Sequence, residues 1–147
     1  MPTDPIPKAP WMAWVLRATS ALLLLATLAQ GLLAGLFVTG DADLLTVHSA
    51  VGSALLVVAL VQVVAAVLEH RWRKWAGGPA TWRPTILSGA FLAMAAVQIG
   101  LGMARVVAPH MFLGVTMAAV AMLVLLVVLA ESVWVDTPAA AAYTKES

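Results

Sequence analysis

Four long apolar runs constrain this chain more than any other feature. They cover about residues 18–38, 47–68, 85–107 and 111–134. At 1.5 Å per residue each would extend about 31–36 Å as a helix, enough to cross the hydrocarbon of a bilayer. Helix is the expected form, because lipid offers no partner to an open backbone group. Composition agrees: 63% of residues are hydrophobic and 10% charged, against about a quarter charged in soluble domains. The expected fold class is all-α, an integral membrane four-helix bundle forming one domain over residues 1–147.

Charge sets the orientation. The connection between the second and third runs, "HRWRKWAGGPATWRP", holds Arg71, Arg73, Lys74 and Arg83. The first outer connection has Asp41 and Asp43 and no cation, and the third adds only Arg105. The positive-inside rule places the basic loop, and with it both termini, in the cytoplasm. Trp11, Trp14, Trp72, Trp75, Trp82 and Trp134 all fall at that same interface. A multi-pass protein of the plasma (inner) membrane is expected, with the lipid bilayer as its first partner.

The proline-rich start "MPTDPIPKAP" reads as a short non-helical tail, and "VDTPAAAAYTKES" as a frayed one. The first run is longer than the 7–15 residues usual in a signal peptide and has no clear cleavage site, so it counts as a span. A net charge of +1 without blocks of like charge offers nothing for nucleic acid, and no such partner is expected. Zero cysteines exclude disulfides, thiolate metal sites, Cys nucleophiles and covalent c-type haem attachment.

A histidine opens both even-numbered runs. His48 is followed at four residues by Gly52, and His110, 62 positions later, by Gly114. The same offset matches Glu69 with Glu131. Upstream, the first run carries Gln30, Gly31 and Gly35, and the third Gln98, Gly100 and Gly102. The chain therefore reads as two repeated helix pairs, each a glutamine-and-glycine helix, a short outer loop, then His-x-x-x-Gly. Such a repeat about an axis along the membrane normal would set the second run opposite the fourth. The two histidines would then face each other at one depth near the outer face.

Imidazole is a common metal and haem-iron ligand, and bundle cores hold cofactors between facing helices. A glycine at i+4 lies one turn on along the same face and would clear space beside a flat ring. Gly52 and Gly114 are accordingly candidate clearance positions for a haem ligated by His48 and His110. Two plainer readings stand beside this one. Either histidine alone could be an interfacial residue bonded to a loop carbonyl, and small residues often serve helix packing. Asp41 and Asp43 with His48 form a conceivable cation set, and a methionine ligand stays open.

The order of glutamine-and-glycine helix, short outer loop and His-headed helix, stated twice, resembles one four-helix half of the haem A synthase family, its haem b-carrying half. Small four-helix membrane proteins share the outline. The resemblance covers nearly the whole chain on short motifs. It implies a bis-histidine b-type haem held by His48 and His110. The first outer loop, "TGDADLLTV", lacks the longer acidic and histidine-bearing segment of the catalytic half, and neither a Cys pair nor a second His pair is present. The resemblance therefore points to haem b binding rather than haem A synthesis.

Among the remaining polar residues, Arg105 lies five residues before His110, where it could meet a propionate or simply snorkel. Gln30 and Gln98 would bond across helices or touch a cofactor edge. Gln62 is expected to tie helices together. His70 is expected to be an ordinary interfacial residue, and Glu69 and Glu131 to pair with Arg17, Arg71 or Arg73. Three functions follow. The first is a b-type cytochrome-like protein for electron transfer or haem sensing, with a quinol or another redox membrane protein as partner. The second is an accessory subunit without cofactor, the third a haem-modifying enzyme. No phosphate loop, HExxH or Ser-His-Asp set is present, and a stand-alone enzyme is not the leading expectation.

Overall fold

A computed structural model describes residues 11–136, with side chains described as far as Glu131. The two tails expected to be irregular lie outside these residues, apart from the start of the second. Four helices follow one another: α1 (Trp11–Val38), α2 (Leu44–Trp75), α3 (Arg83–Met103) and α4 (Val107–Asp136). All four are long and apolar enough to cross a membrane. Each packs on its chain neighbour, and α1 closes the ring against α4. The diagonal pairs are therefore α1 with α3 and α2 with α4.

The helices outrun the apolar runs at most ends, because hydrogen bonding continues into the polar interface until glycine or proline stops it. α2, at 32 residues, is about 48 Å long and carries its basic segment past the hydrocarbon. At the third connection α3 stops short of its apolar run, ending at Met103 rather than near residue 107, and α4 starts at Val107 rather than at residue 111. Pro109 fits inside the first turn of α4, where its missing N–H is not needed.

The ends of α2 and α3 share one device. After α2, Gly77 N–H donates to Lys74 O and Gly78 N–H to Arg73 O; after α3, Arg105 N–H donates to Gly102 O and Val106 N–H to Leu101 O. This is the Schellman arrangement, which wants a left-handed residue. Gly77 supplies it at φ 73°, but on α3 the position is filled by Arg105 at φ 57°.

The core is confined to one part of the bundle. Leu23, Leu24, Leu55, Ala59, Phe91, Ala95, Met117 and Ala121 form its centre, and Leu16, Ala65, Ala66, Val124 and Val128 its continuation towards the tryptophans. Thr19 Oγ1 donates to Gln62 Oε1, which ties α1 to α2 as expected of that glutamine. Towards the histidines, burial stops at Thr27, Leu55, Ala95 and Met117. Beyond those residues every helix continues for about 12–16 Å with no buried residue among the described ones.

Candidate functional site

His48 and His110 each sit in the first turn of their helix, on α2 and α4, the diagonal partners. Their rings face one another across the bundle with centroids 6.1 Å apart and planes at 61°. They lie in the end of the bundle that no buried side chain fills. There, a Cβ built on Gly31, Gly35 or Gly100 would meet nothing within 4 Å.

Each histidine backbone is gripped by the glutamine of the preceding helix. Gln30 Nε2 donates to His48 O at 2.8 Å, and Gln98 Nε2 donates to His110 O at 2.8 Å. The glycines four residues on make this possible. A side chain at i+4 stands over the carbonyl of residue i, because helical Cβ atoms tilt towards the N-terminus. A Cβ on Gly52 would come within 3.1 Å of Gln30 Nε2, and one on Gly114 within 3.1 Å of Gln98 Nε2. The His-x-x-x-Gly spacing thus opens a backbone carbonyl to a neighbouring helix. The space immediately over both glycines is held by glutamine amides. Bonding across helices is the role the structure gives Gln30 and Gln98, and the amide oxygen of each is buried without a hydrogen-bond partner.

The two imidazoles differ. His110 Nδ1 lies 3.0 Å from Gln98 O. A carbonyl only accepts, so Nδ1 carries the proton and Nε2 keeps its lone pair, the arrangement that orients a ligand histidine. Gly102, one turn beyond Gln98, makes room for this ring: a Cβ there would stand 3.2 Å from its Cε1. One turn beyond Gln30 stands Ala34. His48 Nδ1 finds no hydrogen-bond partner, and its ring rests against Phe37, centroids 5.7 Å apart at 62°. Phe37 and the seat at Gly102 were missed in the sequence. Gly102 was legible, as a glycine one turn from a polar residue; Phe37 carried no signal.

The residues fit a haem on the observations above. Ring centres 6.1 Å apart leave the two imidazoles within reach of one shared metal atom, with metal–nitrogen bonds of about 2.0–2.1 Å. No group of three or more His, Cys, Asp and Glu side chains able to hold a metal is assembled among the described residues. Asp41 and Asp43 therefore do not complete a cation site with His48. Two imidazoles alone suit a metal that arrives with its own equatorial ligands. Arg105 lies at this end in the α3–α4 connection, exposed, its side chain without an ion pair among the described residues.

The opposite end is organised by charge. Arg73 Nε donates to Glu69 Oε1 at 2.8 Å, and Arg73 Nη1 to the Glu131 carbonyl at 3.4 Å. Of the three arginines considered for Glu69, Arg73 is the one this pair uses. The Glu131 carboxylate takes the Thr81 hydroxyl. His70 is buried rather than simply interfacial: Nδ1 bonds Thr81 O at 3.0 Å, and Trp82 covers its ring at 3.8 Å.

No protein-family model, curated protein or solved structure matches this chain. What it does is read from its own residues.

Proposed function

We propose that this chain is a membrane b-type cytochrome-like protein, in which His48 and His110 ligate one haem b near the outer face. The observation that supports the reading most is the pair of diagonal imidazoles, 6.1 Å apart, in the end of the bundle left without buried side chains. The buried, unpartnered Gln30 Oε1, Gln98 Oε1 and His48 Nδ1 add to it, since such atoms call for a ligand or water. The same histidines and glutamines carry the resemblance to the haem b-carrying half of the haem A synthase family, which agrees with this reading.

A haem supplies reversible one-electron chemistry that these side chains lack. The chain's part is to hold and orient. Gln98 fixes the His110 ring through its carbonyl and the His110 backbone through its amide, and Arg105 is placed to meet a propionate. The matched glutamine-to-histidine bonds are what two repeated helix pairs would give. The basic loop and the tryptophans at the other end support a cytoplasmic side for that end and both termini, in a chain that spans the plasma (inner) membrane. Electron transfer and haem sensing both suit such a site. Since it lies at one face, electron transfer requires a quinol or another redox membrane protein as partner.

An accessory subunit without cofactor is the alternative. The glutamine bonds alone would serve it as helix glue, but it leaves the open end and the unpartnered atoms unexplained. The purified protein decides between them. A split Soret and α-band on reduction, with iron and protein in equal amounts, supports the cytochrome reading; a colourless protein that takes up no added haem refutes it.

A further inference from the structure

At the end opposite the histidines, a cavity of 530 Å³ is lined by Val67, His70, Arg71, Lys74, Trp75 and Trp82. Five of these lie along one stripe of α2, at successive spacings of three, one, three and one residues. Trp82, at the start of α3, closes the far side and is fixed there by its stack on His70. The lining grades from apolar to charged along the helix axis. Val67 lies towards the hydrocarbon, and Arg71 and Lys74 lie towards water.

The charge in this cavity is one-sided. Of the carboxylates at this end whose side chains are described, Glu69 is engaged by Arg73 and Glu131 by the Thr81 hydroxyl. Neither lines the cavity. Arg71 and Lys74 are exposed and form no ion pair among the described residues. Trp75 is 83% exposed, with its indole free to meet a lipid headgroup at the interface. Two cations without an ion pair among the described residues, with indole walls at the level of the membrane interface, match an anionic phosphate whose attached chains continue into lipid.

We infer that this cavity is a binding site for the headgroup phosphate of an anionic phospholipid. A free phosphate would use only Arg71 and Lys74. The apolar base at Val67 and the two indoles favour the lipid form, whose glycerol and acyl carbons cover them. The site is independent of the histidine pair.

The test uses the delipidated full chain in detergent, titrated with phosphatidylglycerol, with phosphatidylcholine of the same acyl chains, and with inorganic phosphate, bound molecules being counted by native mass spectrometry. Phosphatidylglycerol should bind tightest. With each cation contributing about fivefold, R71Q/K74Q should weaken it about 25-fold, to the level of phosphatidylcholine. Raising the salt on the unaltered chain should erode the same preference, which keeps the test valid if the double variant folds poorly. Equal binding of the two lipids to the unaltered chain would overturn the inference, as would a preference that survives R71Q/K74Q. Inorganic phosphate binding as tightly as phosphatidylglycerol would show a free-anion site instead, and would overturn the assignment to lipid.

Discussion

Gln98 and His110 are joined twice: the Gln98 side-chain amide donates to the His110 carbonyl, and the Gln98 carbonyl accepts from the His110 ring. One residue therefore sets both the backbone position and the ring orientation of the other. Gln30 grips the His48 backbone in the same way, but its own backbone, which lies beside the His48 ring, closes no hydrogen bond to Nδ1.

That inequality predicts unequal ligand variants. His110→Ala removes the oriented imidazole and should lose most of the bound haem. His48→Ala should retain more of it, as a high-spin five-coordinate form on His110. His70→Ala, at the other end under Trp82, should leave the low-spin spectrum unchanged. Absorption spectra and haem-to-protein ratios of the three variants check this. Loss of haem in His70→Ala alone would refute the site.

The glycines should be coupled to the glutamines. Alanine at position 52 gains up to about 1 kcal/mol in helix propensity, but its Cβ would stand 3.1 Å from Gln30 Nε2. A hydrogen bond between membrane helices contributes about 0.6–1.7 kcal/mol. Gly52→Ala should therefore be neutral or destabilising alone, yet stabilising when Gln30 is also alanine. Gly114→Ala should behave likewise with Gln98→Ala. Unfolding midpoints of the four proteins in each cycle test it, and additive effects would show that the glycines do not serve the amides.

Arg105 holds a left-handed conformation, φ 57°, that costs a non-glycine residue about 1–2 kcal/mol. Arg105→Gly should raise the stability of the haem-free protein by about 1 kcal/mol. If the guanidinium meets a propionate, the same change should weaken haem retention. Opposite signs in the two measurements are the expected result. A loss of apo stability would instead give Arg105 a packing role.

Reporter fusions address orientation. A reporter inserted at Gly40, in the histidine-end connection, and one at Gly77, in the basic connection, should report opposite sides of the membrane, with Gly77 inside. Equal signals would reject the four-span topology.

Period and length made much of this architecture readable before any coordinates. Apolar runs of 21–24 residues leave a chain little alternative to membrane helices. Rare polar residues stand out against alanine and leucine, so His48, His110, Gln30 and Gln98 were legible as a set. Helix ends were less so. The helix ends at Met103 and Val107 differ from the apolar-run edges at 107 and 111 because hydropathy marks where lipid ends, whereas hydrogen bonding and capping mark where helix ends.

Sequence by itself determined the depth of each polar residue and the face of the helix it occupies, since both follow from 3.6-residue periodicity along a single element. Only the tertiary structure decided which atoms meet. Gly52 and Gly114 read equally well as clearance for a flat ring or as packing positions; the neighbouring helix showed a glutamine amide above each. His48 and His110 are alike in spacing, yet of the two only the His110 ring closes a hydrogen bond to a backbone carbonyl, and the glycine that gives that ring room, Gly102, lies on a different helix. Contacts of this kind depend on how two helices are rotated and how far apart they stand. Those quantities are fixed by packing of the whole core around Leu23, Phe91 and Ala121, and no window of sequence contains them.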